Sequence, residues 1–274
     1  MPELPEVEVI KRGLRKHVTG CKVTGIVASN KKLRLPLPRK GLKSLILGAR
    51  IETVDRRAKF LLVRMDNGAI LIIHLGMTGR LSIFPDTAAK SKHDHLILDL
   101  DSHKQLRFHD TRRFGFIQVA APGSDLPGTM LAELGPEPLG KKFTPEYLQA
   151  LAAGKKRPLK KFLMDSRVVA GIGNIYACEI LFQAGLNPRK QINRLTRKDW
   201  EKIVASSRAV LRKAIKSGGT TINDFVNASG KSGYFQLELQ VYGRQGLPCN
   251  SCVTPIAKMT MAGRSTFFCP RCQK

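Results

Sequence analysis

Two hydrophobic periods divide the chain. Over residues 4–16, Leu4, Val7, Ile10 and Leu14 recur at three- and four-residue spacing, the stripe of an amphipathic helix. From Val23 to Val119 the apolar residues alternate or form short β-branched runs: VTGIVAS, FLLVRM, AILIIHLG, HLILDL, KQLRFHD and FGFIQVA. Turn signals such as Asp66-Asn67-Gly68 separate them, which predicts a β-sandwich or barrel. A stretch rich in Gly and Pro, Pro122 to Pro138, reads as a linker. Helical spacing returns over 144–153, 158–166, 174–184 and 196–217, and the tail from about 235 reads as short strands around clustered cysteines. The predicted fold class is α+β. Residues 1–121 form a helix with strands, 122–142 a linker, 143–234 a helical domain and 235–274 a small metal module.

No apolar run approaches the ~18 residues of a membrane span. The longest, Ala69 to Leu75, is broken by His74 and reads as a buried strand. The opening Met1-Pro2-Glu3, with more acid at Glu6 and Glu8, does not resemble a secretory signal, so a cytoplasmic protein is expected. Charge sharpens this picture. Lys and Arg total 47 against 21 acids, a net +26. Such an excess points to a polyanionic partner, with nucleic acid ahead of a ribosomal or acidic-membrane surface.

Of six cysteines, Cys21 and Cys178 stand alone and read as packing residues. Cys249, Cys252, Cys269 and Cys272 form two Cys-x2-Cys pairs sixteen residues apart. Two such turns at the ends of a hairpin close a tetrahedral Zn2+ site with no open position, which is structural rather than catalytic. An iron–sulfur cluster is the alternative metal, and a reducing compartment disfavours disulfides. Gly263 suggests a turn that puts Arg264 at the hairpin tip, within reach of phosphate.

Upstream, Gly171-Ile172-Gly173-Asn174 feeds a helix, with Asn174 as the expected N-cap. Free N–H groups there make an anion site, although alone the motif also suits an ordinary corner between helices. Lys155-Lys156-Arg157 with Lys160 and Lys161 is either a solvated face or a phosphate clamp. Glu3 and Glu6 share a helix face and alone read as first-turn acids. Met77 and Phe114 alone read as core.

Taken in order, the motifs say more. PELPEVE opens the chain, followed by Arg56-Arg57-Ala58-Lys59-Phe60, His74-Leu75-Gly76-Met77, His93-Asp94-His95 and Asp110-Thr111-Arg112-Arg113-Phe114-Gly115. Then come LGPEPL at 134–139, Gly171-Ile172-Gly173-Asn174-Ile175-Tyr176, LQVYGR at 239–244 and the four cysteines around Arg264. Over essentially its whole length the chain resembles the formamidopyrimidine-DNA glycosylases. Leu4 and the Arg112–Gly115 loop set it apart from the pyrimidine-directed endonuclease VIII type, which is the runner-up enzyme. A zinc protein that only senses damage is the non-enzymatic alternative, disfavoured by the presence of Pro2, Glu3 and Lys59.

The resemblance implies an N-terminal helix with a two-sheet sandwich, a helix–two-turns–helix domain and a zinc finger, with DNA between the halves. It implies a bacterial, nucleoid-associated monomer acting on double-stranded DNA that contains oxidised purines (8-oxoguanine, formamidopyrimidines) or abasic sites. It implies a bifunctional glycosylase/AP lyase. Pro2, freed of Met1, attacks C1′ as a secondary amine, and an α-amino group near pKa ~8 is a better nucleophile at pH 7 than an ordinary lysine. Glu3 is then the acid that opens the sugar, Lys59 acts in β-elimination, Arg264 in δ-elimination, and Glu6 supports the amine. His93, Arg112, Lys155, Asn174 and Arg264 match DNA contacts, and Met77, Arg112 and Phe114 match residues that fill the space left by the flipped base. Residues 218–235 match the segment that covers that base.

Overall fold

Glu3 and Glu6 close a capping box at the head of helix α1 (Leu4–Val18), with Pro5 in its first turn. Arg15, Lys16 and His17 lie in the last turn, where cations suit the dipole. Val7, Leu14 and Val18 are fully buried along one face. This computed structural model describes residues 2–124, 130–218 and 239–274. The expected cover over 218–235 thus lies, beyond Gly218, outside the described residues. The described residues fall into two compact units, one running to Ala132 and the other starting at Glu133.

In the first unit, eight strands follow α1: β1 (Val23–Ala28), β2 (Ile51–Arg57), β3 (Phe60–Met65), β4 (Ile70–His74), β5 (Arg80–Pro85), β6 (Asp94–Leu100), β7 (Lys104–His109) and β8 (Phe116–Ala120). They form two antiparallel sheets, ordered β1-β6-β7-β5 and β2-β3-β4-β8. The inner faces and α1 share one core, including Val7, Leu14, Val54, Leu61, Ile73 and Phe108. Between β1 and β2 the residue pattern predicts no regular element. There a short helical stretch α2 (Arg39–Gly41) passes into a π-helical turn (Leu42–Ile46) that buries Leu42 and Ile46.

The β4–β5 and β7–β8 loops meet backbone to backbone. Gly76 has φ +62°, and a Cβ there would lie 2.4 Å from the Gly115 nitrogen. A Cβ on Gly115 would lie 2.7 Å from the His74 carbonyl oxygen. Only glycine satisfies both constraints.

In the second unit, α3 (Pro145–Ala152) is capped by Thr144 and α6 (Arg197–Lys216) by a Thr196–Asp199 capping box. Between them lie α4 (Leu159–Leu163) and α5 (Asn174–Ala184). Trp200 of α6 is buried and packs edge-on against Phe162 of α4. A hairpin of β9 (Ala257–Met261) and β10 (Arg264–Phe268) follows, with β10 against α5. The α+β class and the order of helix, sandwich, helices and cysteine hairpin agree with the sequence reading. One local expectation fails. Gly173, in extended conformation, is the N-cap of α5, and Asn174 is its first helical residue. The Asn174 side chain has other partners, described below.

Gly76→Ala forces both a left-handed alanine and a backbone collision. It should cost about 1–3 kcal/mol in chemical denaturation, with the sandwich still formed.

Candidate active site and nucleic-acid interface

The residues expected to carry the chemistry are held at the head of α1. Pro2 is half-buried, whereas Glu3 and Glu6 are buried. The Glu3 N–H donates to Oε2 of Glu6 at 2.8 Å, which fixes the backbone beside Pro2. The Glu3 side chain accepts from the Glu6 N–H in return. A chain end normally frays. Here reciprocal bonds to a helix terminus anchor it.

Lys59 sits in the two-residue turn between β2 and β3, whose last pair is Arg57 opposite Phe60. Ala58 takes the left-handed φ of 53°. Arg56 spans the turn: Nη1 donates to the Ala58 carbonyl at 2.9 Å, and Nε donates to Oε2 of Glu8 in α1 at 3.0 Å. Burial pushes the Glu8 carboxyl up, but hydrogen bonds from Lys11, Arg56 and Arg12 outweigh it and hold the group below its usual range. Opposite Phe60 on β4 is His74, stacked on Phe116 with ring centroids 5.2 Å apart. Its Nδ1 accepts from the Gly76 N–H at 3.1 Å. Burial first, then the charges of Lys59 and Arg34, push its pKa down to about 4, so the imidazole is neutral at pH 7.

Met77 and Phe114 are 42% and 45% exposed on the two glycine-joined loops, so neither belongs to the core. Arg112 lies over the Phe114 ring, 4.7 Å from its centroid. Asp110, fully buried, ties the loops together. Its Oδ1 accepts from Thr78 Oγ1 at 2.5 Å and its Oδ2 from the Gly115 N–H at 2.8 Å. The Arg112 N–H donates to Thr78 Oγ1 at 3.1 Å. Two exposed apolar side chains, one of them under the Arg112 guanidinium, are thus mounted on loops that Asp110 ties together. His93, half-buried, accepts from the Asp110 N–H through its carbonyl and packs edge-on against His109.

In the second unit, Lys155 is exposed in the α3–α4 connection. Lys160, which sequence grouped with it as a charge run, is buried instead. Its Nζ donates to Asn174 Oδ1 at 2.6 Å, Thr266 Oγ1 at 2.8 Å and the Ser265 carbonyl at 3.2 Å. Asn174 Nδ2 donates to the same carbonyl at 2.9 Å. The carbonyl one residue beyond Arg264 is therefore fixed to the start of α5. Ala262 and Gly263 both have positive φ, the two-residue turn preferred in tight hairpins, and Arg264 is exposed beside it. Glu179 of α5 accepts the backbone N–H groups of Gln240, Val241 and Tyr242, anchoring the approach to the hairpin.

The ligand atoms of Cys249, Cys252, Cys269 and Cys272 all lie within 4.8 Å of one another. The Cys252–Cys269 and Cys249–Cys272 sulfurs are 3.4 and 3.9 Å apart. Tetrahedral zinc, with Zn–S near 2.3 Å, places sulfurs about 3.8 Å apart, so the donor set fits one structural zinc. The Ser251 and Cys272 N–H groups point at the Cys249 and Cys269 sulfurs, the outer hydrogen bonds a thiolate site requires. Sharing hydrogen bonds with Cys252, and then burial, pushes the Cys272 thiol up to about 12. A dication reverses this mutual repulsion.

Sequence reasoning passed over Asp110, His74 and Lys160 as individuals. Asp110 opens a motif already noted and His74 interrupts an apolar run, so each left a faint signal. Nothing in a run of five cations marks Lys160 as the buried one.

Sheet sandwich, capped chain terminus, helical unit and zinc hairpin together define a class of DNA-repair glycosylases with a zinc finger. Family models match the Formamidopyrimidine-DNA glycosylase N-terminal domain at residues 1–117, its H2TH domain at 134–226, and the zinc finger found in FPG and IleRS at 246–274. The formamidopyrimidine-DNA glycosylase of Thioalkalivibrio sulfidiphilus is 46% identical over 275 residues, covering 100% of both chains. That of Photobacterium profundum is 47% identical over 274 residues, again at full coverage. Among solved structures, the MutM (Fpg) protein of Thermus thermophilus superposes with a TM-score of 0.86 at 39% identity, covering 99% of this chain and 98% of that one. Lactococcus lactis Fpg complexed with DNA containing an abasic site gives a TM-score of 0.89 at 35% identity, with full coverage of both. The chain belongs to the formamidopyrimidine-DNA glycosylase family and is an enzyme. Among the described residues no helix is long and apolar enough to cross a membrane.

Two measurements check the site's physics. In the unfolded chain His74 titrates near 6.5 and in the fold near 4, so between those values the unfolded state binds more protons. The neutral ring's contribution is fully present above about pH 6.5 and falls by up to about 3 kcal/mol as pH drops to 4. A His74→Phe variant should show a flatter stability curve across that window in urea titrations. Separately, Cys249→Ser or chelation should release one zinc per chain and lower the second unit's melting transition while sparing the first. Metal content near zero in the purified protein would contradict the site.

Proposed function

We propose that the protein excises oxidised purines from double-stranded DNA and cleaves the strand at the resulting abasic site through a Schiff base on Pro2. Chemistry resides in residues 1–121, while the helical domain (143–234) and the zinc hairpin (235–274) grip the same duplex. The observation that carries this reading is the reciprocal Glu3–Glu6 cap, which holds Pro2 and a buried carboxylate side by side at a helix terminus.

The steps balance. Once Met1 has been removed, the lone pair of the free Pro2 nitrogen attacks C1′ and the N-glycosidic bond breaks, its electrons leaving with the base, which takes up a proton from water. Glu3 takes the proton shed by the amine and delivers it to the ring oxygen O4′ as that C–O bond opens, leaving an iminium at C1′. The iminium acidifies the C2′ hydrogen; its loss expels the 3′ phosphate, and a second elimination expels the 5′ phosphate. Lys59 serves the first elimination. Arg264, always charged, stabilises phosphate during the second. Glu6 keeps the amine's backbone in place.

Flipping the base leaves a hole and an unpaired partner. Phe114 wedges the step, Met77 fills the irregular remainder and Arg112 hydrogen-bonds the orphaned base. Lys155, Asn174 and His93 hold phosphates, which gives the surplus cations a target in the bacterial nucleoid. The relatives' complexes with carbocyclic 8-oxo-G and abasic-site DNA support this choice of substrate. The protein acts as a monomer in the cytoplasm.

Borohydride should trap a covalent adduct on a duplex carrying 8-oxoguanine, with the link at residue 2. Glu3→Gln should slow excision by about 100-fold or more while leaving duplex affinity nearly unchanged. An adduct mapped to any lysine would overturn the Pro2 assignment.

A further inference from the structure

Glu8 and Arg56 have no part in the chemistry above, yet they are 48 residues apart in sequence and joined where both side chains are about nine-tenths buried. Arg56 takes one Glu8 oxygen, Oε2, while the other is served from within α1. Lys11 and Arg12, on its own helix, already reach Oε1 at 2.8 and 2.9 Å. Burying an arginine against it adds little net stability compared with an apolar pair, so the gain lies in geometry. That geometry is specific. Arg56 splits its guanidinium between the Glu8 carboxylate and the Ala58 carbonyl, so one rigid fork joins α1 to the turn. Ala58 holds φ 53°, which alanine disfavours without a restraint. The restrained turn is the one that carries Lys59, and the helix at the other end is the one that carries Pro2.

We propose that Glu8 and Arg56 are a positioning pair that sets Lys59 relative to the head of α1, and so governs β-elimination separately from Schiff-base formation. This rests on the assignment of Lys59 to that elimination. Reacting groups misplaced by about 1 Å can lose about 100-fold in rate. Arg56→Lys keeps the charge but loses the planar fork whose two arms serve the Glu8 carboxylate and the Ala58 carbonyl.

The test uses the full-length zinc-loaded protein and a duplex with a preformed abasic site. Arg56→Lys, Glu8→Gln and Lys59→Ala are compared by single-turnover strand cleavage, borohydride trapping, duplex affinity and thermal midpoint. Arg56→Lys and Glu8→Gln should each slow cleavage by about 10- to 100-fold with trapping and affinity within about twofold of the parent. The double variant Arg56→Lys/Lys59→Ala should be no slower than Lys59→Ala alone, because both changes remove one function. If Lys59→Ala cleaves normally, the role given to Lys59 falls and this inference falls with it. If Lys59→Ala is slow but both pair variants cleave normally, only this inference is overturned. It is also overturned if trapping, affinity and thermal midpoint fall together with cleavage, since the pair would then be a general support. Glu8→Gln, nearly isosteric and still held by hydrogen bonds, covers the case in which Arg56→Lys fails to fold.

Discussion

Three buried carboxylates at the head of α1 constrain everything around them. A buried carboxylate without partners is costly, so each must be met by donors in fixed places. Glu3 and Glu6 are met by the backbone of the helix they open, and Glu8 by Arg56 from the neighbouring sheet. The same bonds that remove this cost also remove the freedom of the chain's first residues. The apolar stripe of α1 then presses the head against the sandwich core, so a short peptide end becomes as well placed as a strand.

The second unit applies the same logic with opposite charge. Lys160 is a buried cation that donates to groups of α5 and β10, and Glu179 is a buried anion that accepts from the backbone before the hairpin. Zinc closes the far end of that hairpin. The small module is closed on itself by its four cysteines and held to α5 by these polar groups and by an apolar cluster that includes Cys178, Phe182, Ile256 and Phe267, and Arg264 is carried on it. In both units, polar clamps hold the backbone that carries exposed side chains. Asp110 does this for Met77, Arg112 and Phe114.

Much of this was legible in the residue pattern, because burial of one face per element is what periodicity records. The helix stripe, the strand runs and the two Cys-x2-Cys pairs all became the elements they predicted. What escaped was contact between residues distant in sequence. Arg56 lies beside a conspicuous lysine but acts on a glutamate in another element. Lys160 is chemically indistinguishable from Lys161, and only packing decides which is buried. Asn174 was misplaced by one residue because its composition suits a cap. Gly173 takes the extended cap conformation, and the amide serves Lys160 and Ser265 instead. The resemblance implies the roles of Pro2 and Glu3, and the capping box supplies their anchoring.

On the proposed mechanism the Pro2 nitrogen, beside the Glu3–Glu6 cap, is the nucleophile. This assignment is tested most directly by blocking that nitrogen without altering any side chain. A protein in which Met1 is retained on Pro2 carries an amide there, which has no available lone pair, whereas the parent from which Met1 has been removed carries a free secondary amine. Single-turnover cleavage of an abasic-site duplex should fall by at least about 1000-fold, with duplex affinity within about twofold of the parent, since the covalent route is gone and the gripping residues are untouched. Cleavage at the parental rate by the blocked protein would contradict the account.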